Sequence, residues 1–222
     1  MNLKEKAALI DHTNLSPYAT QTAIARLCEE ATTNGFCSVC VLPYQVAFAA
    51  SQLKDTPQKV CTVIGFPLGA NRTGIKAKEA QIATQDGAEE LDMVINLAAL
   101  KEKNLEYVQK EIEVIRQVSK GLILKVILET CYLDEAEKIS VCRMAQAAGA
   151  DFVKTSTGFG SAGANLSDIM IMRQVVGDQM GIKASGGIRN AQTMEAMLIA
   201  GATRIGSSSG IAIMKEYNNT RD

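Results

Sequence analysis

Short runs of aliphatic and β-branched residues alternate along the chain with longer segments in which apolar residues recur at helical spacing. The short runs predict strands at residues 10–13, 38–42, 60–66, 91–96, 122–129, 152–154, 182–184 and 204–206. The longer segments predict helices at residues 20–32, 44–53, 75–86, 105–119, 134–148, 191–199 and 209–216, and another that begins near residue 165 or 167. A short helical stretch, residues 3–9, precedes the first strand.

These elements form a strand followed by a helix, repeated eight times. The predicted strands begin roughly 22 to 32 residues apart, a rhythm typical of a (β/α)8 barrel. An open, doubly wound sheet is the alternative, but eight units in 222 residues favour closure. We therefore predict a single α/β domain over residues 1–222, a (β/α)8 TIM barrel with a short N-terminal helix. Its polar end, residues 217–222, is expected to fray.

The charges of the chain are balanced and dispersed. There are 23 basic and 24 acidic residues, the net charge is −1, and no block is rich in lysine and arginine. This pattern disfavours nucleic acid or an anionic membrane as a partner. Since the sequence shows no signal-peptide pattern and no apolar run near the ~20 residues of a membrane span, a cytoplasmic protein is expected.

Cysteine and histidine usage restricts the chemistry further. Six cysteines lie within apolar segments, which suits reduced, buried thiols. Cys37 and Cys40 form a lone C-x-x-C, but residues three apart in a strand face opposite sides and no second pair exists. His12 is the single histidine, so catalytic triads and histidine-based metal sites are mostly excluded. We expect no metal site.

Three ionisable residues lie in predicted strands: Asp92 in the fourth, Lys154 in the sixth and Lys183 in the seventh. The interior of a strand is costly for an ammonium group, because burial disfavours the charged form. In barrels the active site lies at the C-terminal ends of the strands, and adjacent strands are ~4.8 Å apart. Lys154 and Lys183 are therefore expected to approach each other.

Two close lysines have a specific use. A nucleophilic amine must be neutral, so its pKa of about 10.4 must fall to roughly 7, which costs about 4 kcal/mol. A second ammonium ~5 Å away contributes about 3 kcal/mol at an effective dielectric constant of 20. Such a lysine forms a Schiff base with a carbonyl group, and Asp92 could move the protons. Asp11, Lys125 and Glu129 could complete a polar lining; a purely structural ion-pair network is the alternative.

Glycine- and serine-rich turns follow the last three predicted strands, at residues 158–160, 186–187 and 206–210. Turns after the seventh and eighth strands of barrels often bind phosphate through backbone N–H groups, with Arg189 and Arg72 as candidate counter-charges. The alternative is that these glycines only permit tight turns. Residues 158–163 also fit G-x-G-x-x-G, the fingerprint of dinucleotide-binding sites. Such sites have an acidic residue that binds the ribose, and this chain has Lys183 near that position, which disfavours NAD binding.

Five motifs together resemble the 2-deoxyribose-5-phosphate aldolase family. They are Ile-Asp-His-Thr-Asn-Leu (10–15), Glu-Leu-Asp-Met-Val-Ile-Asn (90–96), Leu-Lys-Val-Ile-Leu-Glu-Thr (124–130), Lys-Thr-Ser-Thr-Gly (154–158) and Lys-Ala-Ser-Gly-Gly-Ile-Arg (183–189). The resemblance covers nearly the whole chain. It implies a class I aldolase, without metal or cofactor, that reversibly cleaves 2-deoxy-D-ribose 5-phosphate to acetaldehyde and D-glyceraldehyde 3-phosphate in deoxyribose phosphate catabolism. Members of the family commonly form dimers or tetramers.

The resemblance also implies residue roles. Lys154 would be the Schiff-base lysine, Lys183 the lysine that tunes it, and Asp92 the proton donor and acceptor. Further positions match the substrate pocket and phosphate loops: Asp11, Cys40, Thr155, Gly158, Gly186, Gly187, Arg189, Gly206, Ser208 and Ser209.

Two features depart from some members of the family. Phe159 stands where some members have a phosphate-binding lysine, so phosphate binding would depend more on Arg189 and on backbone donors. The chain ends Asn-Asn-Thr-Arg-Asp, whereas some members end in a tyrosine that reaches the active site.

Two other functions fit parts of this pattern. A Schiff-base barrel aldolase for another sugar phosphate would have the same lysine pair and phosphate loops, and would release a ketone or keto acid instead of acetaldehyde. A barrel that only binds sugar phosphates would be expected to lack one of Asp92, Lys154 and Lys183, and all three are present.

Overall fold

Eight parallel strands close into a barrel in the order β1 to β8 in the computed structural model, which describes residues 1–219. The strands are β1 Ile10–Asn14, β2 Ser38–Val41, β3 Lys59–Ile64, β4 Glu90–Val94, β5 Ile123–Ile127, β6 Phe152–Lys154, β7 Gly181–Ser185 and β8 Arg204–Ser207. The first and last strands pair in parallel and close the barrel. The predicted (β/α)8 barrel is thus confirmed.

Helices surround the barrel; the first precedes β1 and the others follow the strands along the chain. They are α1 Leu3–Ala7, α2 Gln21–Asn34, α3 Val46–Gln52, α4 Thr73–Gln85, α5 Leu97–Lys101, α6 Leu105–Val118, α7 Glu135–Ala147, α8 Leu166–Val176, α9 Ala191–Ala200 and α10 Gly210–Asn219. Within residues 1–219, no helix is long and apolar enough to cross a membrane.

Side-chain caps fix where several helices begin. The side chains of Thr20, Asn104, Asp134, Asn165 and Asn190 each accept a hydrogen bond from a backbone N–H in the first turn of the helix that follows. These bonds satisfy amide groups that have no partner within the helix. The caps place α7 and α8 one residue after Asp134 and Asn165, close to the predicted starts.

The alternation of side chains along the strands separates an apolar layer from a polar interior. On β4, Leu91 and Met93 belong to the large apolar core, whereas Asp92 between them does not. On β5, Leu124 and Val126 belong to the same core on either side of Lys125. Because successive residues of a strand point to opposite faces, Asp92 and Lys125 point into the barrel.

Several local features differ from the predictions. A short helix, α5, follows β4 where none was predicted; the Asn96 side chain caps it by accepting from the Ala99 N–H. The segment after β2 begins with a 3₁₀ turn, Pro43–Gln45, before α3. Strand β5 ends at Ile127, two residues before the predicted end, and Glu129 has a left-handed backbone with φ 54°.

The last helix extends into the segment that was predicted to fray. Helix α10 continues through Asn219, because Tyr217 is buried and its hydroxyl lies 3.1 Å from the Ala191 carbonyl oxygen and 2.7 Å from Glu195 Oε2. Residues 217–219 of the predicted tail are thus part of helix α10. Residues 220–222 of the predicted tail lie outside the described part of the chain.

Candidate active site

Seven charged side chains meet inside the barrel, and each belongs to a residue that is at most 8 % exposed. Four are cations and three are carboxylates: Lys125, Lys154, Lys183 and Arg204, with Asp11, Glu90 and Asp92. They come from β1, β4, β5, β6, β7 and β8. We call this set the barrel cluster. Charges so deeply buried persist in proteins when they are paired.

Lys154 and Lys183 converge on one atom of the barrel cluster. They occupy paired positions of β6 and β7, and their Nζ atoms donate to Asp92 Oδ2 at 2.8 and 2.7 Å. The Nζ atoms of Lys154 and Lys183 can therefore be no farther apart than the sum of these two distances. The sequence prediction that these three side chains lie together agrees with this geometry.

Lys125 lies at the other oxygen of Asp92. Its Nζ is 2.8 Å from Asp92 Oδ1, 2.5 Å from Glu90 Oε2 and 3.9 Å from Asp11 Oδ2. Arg204 bridges two of these carboxylates, at 2.7 Å from Asp11 Oδ1 and 3.3 Å from Glu90 Oε2. Glu90 and Arg204 were not among the predicted site residues.

The contacts of the three lysines are unequal. Lys125 contacts three carboxylates, Lys183 contacts Asp92 and Asp11, and Lys154 contacts Asp92 alone among the described residues. With four cations and three carboxylates, the barrel cluster has one positive charge in excess when every group is ionised. Loss of one proton would make it neutral, and Lys154 is the lysine with the least carboxylate support.

The neighbouring charges shift several pKa values in the cluster, among them those of Asp92 and Lys183. Burial raises the pKa of the Asp92 carboxyl, but Lys125, Lys154 and Lys183 outweigh that effect and hold it well below its ordinary value. Burial likewise lowers the pKa of Lys183, but Asp11 and Asp92 outweigh it and hold the pKa above its ordinary value. Lys183 therefore remains a cation and Asp92 an anion at neutral pH.

A cavity of about 1020 Å³ opens at the C-terminal ends of β1, β6, β7 and β8. Lys154 lines this cavity, whereas Lys183 and Asp92 are absent from its lining and lie behind it. This is the end of a barrel where active sites are found. A ligand in the cavity therefore meets the barrel cluster at Lys154.

Most of the predicted pocket residues reach the cavity. Those that line it are Gly158, Gly186, Gly187, Arg189, Gly206, Ser208 and Ser209. Gly206 also has a packing role, because a Cβ atom there would lie 2.9 Å from Lys183 Cε. The predicted counter-charge Arg72 does not line the cavity.

Three predicted pocket residues lie outside the cavity lining. Asp11 is a carboxylate of the barrel cluster and lies 2.5 Å from Lys183. The Thr155 hydroxyl donates to the Ser185 carbonyl oxygen at 3.1 Å and accepts from the Ser185 N–H, which ties β6 to β7. Cys40 is 1 % exposed and packs with Cys61 inside the barrel. None of the three meets a cavity ligand directly in this arrangement.

The cavity lining also includes charged residues that the sequence analysis missed. The His12 ring nitrogen Nε2 lies 2.7 Å from Glu30 Oε2, and Arg26 donates to the other oxygen of Glu30 at 2.8 Å. Lys215 of α10 also lines the cavity. Helical spacing of Ile211 and Lys215 was the one sequence signal available, since residues four apart share a helix face.

Among residues 1–219, two groups of potential metal ligands lie within the barrel: Cys40, Cys61 and Asp92, and Asp11, Cys61 and Glu90. The carboxylates of both groups already contact lysine ammonium groups at 2.5–2.8 Å. A metal cation would have to displace or repel these ammonium groups. The donor set therefore fits lysines better than it fits a metal ion.

A buried lysine pair beside one carboxylate, at the mouth of a TIM barrel, is suited to amine catalysis on carbonyl compounds. Residues 6–216 match the family model described as DeoC/LacD family aldolase. The chain belongs to this family.

Curated relatives and a solved structure are similar to nearly the whole chain. The deoxyribose-phosphate aldolase of Thermococcus gammatolerans is 54 % identical over 96 % of this chain and 96 % of its own length. The Streptococcus sanguinis deoxyribose-phosphate aldolase is 53 % identical over 93 % of this chain and 94 % of its own. A tetrameric deoxyribose phosphate aldolase from Aeropyrum pernix superposes with a TM-score of 0.93 at 33 % identity, covering 99 % of this chain and 93 % of that one.

Proposed function

We propose that this chain is a deoxyribose-phosphate aldolase that cleaves 2-deoxy-D-ribose 5-phosphate through a Schiff base on Lys154. The observation that carries the proposal is the position of Lys154, which alone among the described lysines joins the barrel cluster to the cavity. High identity to named deoxyribose-phosphate aldolases over nearly the full chain supports the substrate.

The charge balance of the barrel cluster makes Lys154 the best nucleophile among its lysines. Lys125 and Lys183 are each held in the charged form by two or more carboxylates. Lys154 has only Asp92, which it shares with the ammonium group of Lys183. A cation within a few ångströms favours the neutral amine, and that is the form that attacks a carbonyl.

The reaction follows from the amine's position. Lys154 Nζ adds to the C1 aldehyde of the open-chain sugar and water leaves, which gives an iminium ion. The C2–C3 bond then breaks: the C3 hydroxyl loses its proton, D-glyceraldehyde 3-phosphate departs, and the bonding electrons pass to the iminium to form an enamine. Protonation at C2 and addition of water release acetaldehyde and the free amine. Asp92 and Lys183 are the groups placed to exchange these protons with the bound intermediate, directly or through water.

We assign the phosphate end of the substrate to the rim of the cavity that three glycine- and serine-rich loops form. Gly158, Gly186 and Gly187, and Ser208 and Ser209 line this rim from three successive βα loops. Backbone N–H groups of such turns bind anions, and the N-terminus of α10 adds a favourable dipole. Arg189 and Lys215 supply positive charge there, and thus replace the lysine whose position Phe159 occupies.

The assembly and location of the protein are part of the same proposal. We place it in the cytoplasm as a homo-oligomer, a dimer or a tetramer, acting on small molecules. Six free cysteines suit a reducing compartment such as the cytoplasm. Large apolar side chains such as Ile199 and Tyr44 are more than three-quarters exposed, which suits contacts between subunits. Size-exclusion chromatography with light scattering would determine the oligomeric state.

Borohydride trapping tests the proposal. Sodium borohydride reduces an iminium ion to a stable secondary amine, so incubation with 2-deoxyribose 5-phosphate should leave a covalent adduct on the peptide that contains Lys154. The adduct should be absent from Lys154→Met and unchanged in Lys120→Met, an exposed lysine outside the cavity. An adduct on another lysine, or release of a ketone in place of acetaldehyde, would contradict the proposal.

A further inference from the structure

Glu129 has an unusual combination of backbone and burial. It lies just after β5 with φ 54° and ψ 63°, and it is 2 % exposed. The other non-glycine residues with positive φ in the described chain, Asp55 and Lys103, are exposed. A left-handed backbone is costly for a residue with a side chain and persists where the surroundings hold it in place.

The Glu129 carboxylate is held by one residue of the loop that follows Lys154. The Thr157 N–H donates to both of its oxygens, at 3.2 and 3.3 Å, and the Thr157 hydroxyl donates to Oε2. The same hydroxyl accepts from the Phe159 N–H at 3.0 Å. A chain of hydrogen bonds therefore runs from Glu129 through Thr157 to the backbone of Phe159.

The next turn of this loop packs on the same carboxylate. A Cβ atom at Gly160 would lie 3.2 Å from Glu129 Oε1 and 2.8 Å from Cys131 Sγ, so the backbone of Gly160 runs directly over both side chains. The loop of residues 157–160 is thus wrapped around the carboxylate of Glu129. We call this arrangement the Glu129 clamp.

The other side of the clamped loop faces the cavity. Thr157, Gly158 and Phe159 line the cavity, whereas Glu129 does not. The Phe159 ring packs edge-on against Phe66, with ring centroids 5.3 Å apart. The Glu129 carboxylate accepts its hydrogen bonds from Thr157, on the side of the loop that faces away from the cavity. Its negative charge therefore does not face an anion in the cavity. It can shape an anion site without repelling the anion.

We infer that Glu129 is a positioning residue, which acts through Thr157. It holds the loop around Gly158, at the rim of the cavity, in the position where the loop receives the phosphate group of the substrate. The clamp sets the preference for phosphorylated over non-phosphorylated sugars, and leaves the amine chemistry of Lys154 largely unaffected. This role rests on the proposed function. Phe159 has no charge to offer the phosphate, so the loop contributes through its backbone position, and that position depends on the clamp.

Kinetics on two substrates test the clamp. Thr157→Val keeps the shape of the side chain but removes the hydroxyl, and Glu129→Gln replaces one acceptor oxygen with an NH2 group, which donates and cannot accept. Each should raise KM for 2-deoxyribose 5-phosphate about tenfold, as expected for one or two lost hydrogen bonds in a buried network, with kcat changed less than threefold. Activity on 2-deoxyribose, which lacks the phosphate, should change less than twofold. Thr157→Ser retains the hydroxyl and should restore KM to within about threefold of the wild type.

The outcomes separate this inference from the proposed function. If wild-type protein forms no borohydride adduct at Lys154, both fail. If the wild type forms the adduct but Thr157→Val loses activity equally on both sugars, or shows an unchanged KM, the clamp inference alone fails. Should Glu129→Gln not fold, the comparison of Thr157→Val with Thr157→Ser decides, with adduct formation from acetaldehyde confirming that Lys154 is intact.

Discussion

Lys154 and Lys183 occupy paired positions on neighbouring strands and donate to the same oxygen of Asp92. One carboxylate oxygen cannot fully compensate two ammonium groups. Lys183 has a second carboxylate, Asp11, whereas Lys154 has none among the described residues. The arrangement therefore concentrates the uncompensated charge on the lysine that borders the cavity.

Removal of the Lys183 charge should suppress catalysis. In Lys183→Met the neutral form of Lys154 loses the support of a nearby cation, an effect of about 3 kcal/mol at an effective dielectric constant of 20. We expect kcat/KM to fall about 100-fold at pH 7, with partial recovery as the pH is raised. A pH–rate profile from pH 6 to 10 measures this, with Lys120→Met as the control. A profile parallel to that of the wild type would argue against charge tuning.

Gly206 should be intolerant of a methyl group because of Lys183. A Cβ atom at Gly206 would lie 2.9 Å from Lys183 Cε and 3.0 Å from Ser185 Cβ, which are packed within the barrel. We expect Gly206→Ala to lower kcat at least tenfold by moving the Lys183 ammonium away from Asp92. Gly74→Ala is the matched control: it meets nothing within 4 Å, lies in helix α4 and should stabilise the protein by about 0.4–1 kcal/mol. Equal kinetics for the two variants would refute the steric argument.

A second buried ion pair, outside the barrel, should dominate stability. Lys76 Nζ lies 2.9 Å from Glu111 Oε1 and donates to the Val94 carbonyl oxygen at 2.8 Å; both side chains are fully buried. Lys76→Met leaves Glu111 unpaired and should reduce the free energy of unfolding by about 3–5 kcal/mol. The double variant Lys76→Met/Glu111→Gln should lose less, since the neutral amide of a glutamine needs no counter-ion. Urea unfolding of both variants measures the difference.

The loss in Lys76→Met should depend on pH. Burial raises the pKa of Glu111 even in the presence of Lys76, which opposes that shift. An acid with a raised folded-state pKa contributes stability that is fully present below its unfolded pKa and is lost as the pH rises through the folded pKa. The variant should therefore recover stability relative to the wild type as the pH falls from 7 towards 4. A gap that is constant over this range would contradict the assignment to Glu111.

Asp11 should show the opposite dependence. Burial raises its pKa, but Lys183, Arg204 and Lys125 outweigh this and lower the pKa below its ordinary value. Its contribution is fully present above the unfolded pKa of about 3.9 and is lost as the pH falls through the lower folded value. Asp11→Asn should therefore have a lower Tm than the wild type from pH 5 to 8, and the difference should narrow only below about pH 4. Thermal unfolding followed by circular dichroism tests this.

The repeating pattern of strands and helices made the barrel predictable, because the period of apolar residues is a local property. The lysine pair followed from it, since strand order alone places β6 beside β7. Glu90 and Arg204 could not be recognised in the same way. Arg204 contacts Asp11 across 193 positions of sequence, and only the exact register of barrel closure brings the two together.

The geometry of the loops was the other part of the fold that could not be predicted from the sequence. The left-handed backbone of Glu129 and the short helix α5 depend on hydrogen bonds made after the chain folds, and no periodic pattern marks them. Lys215 reaches the cavity because α10 packs beside β1, which its own sequence does not indicate.

The contact between Arg204 and Asp11 joins the last strand to the first, so the barrel cluster includes residues from both ends of the chain. During synthesis on the ribosome, Asp11 emerges early and Arg204 almost last. The charged surroundings of Asp11, and of Lys183 beside it, are therefore complete only when translation is nearly complete.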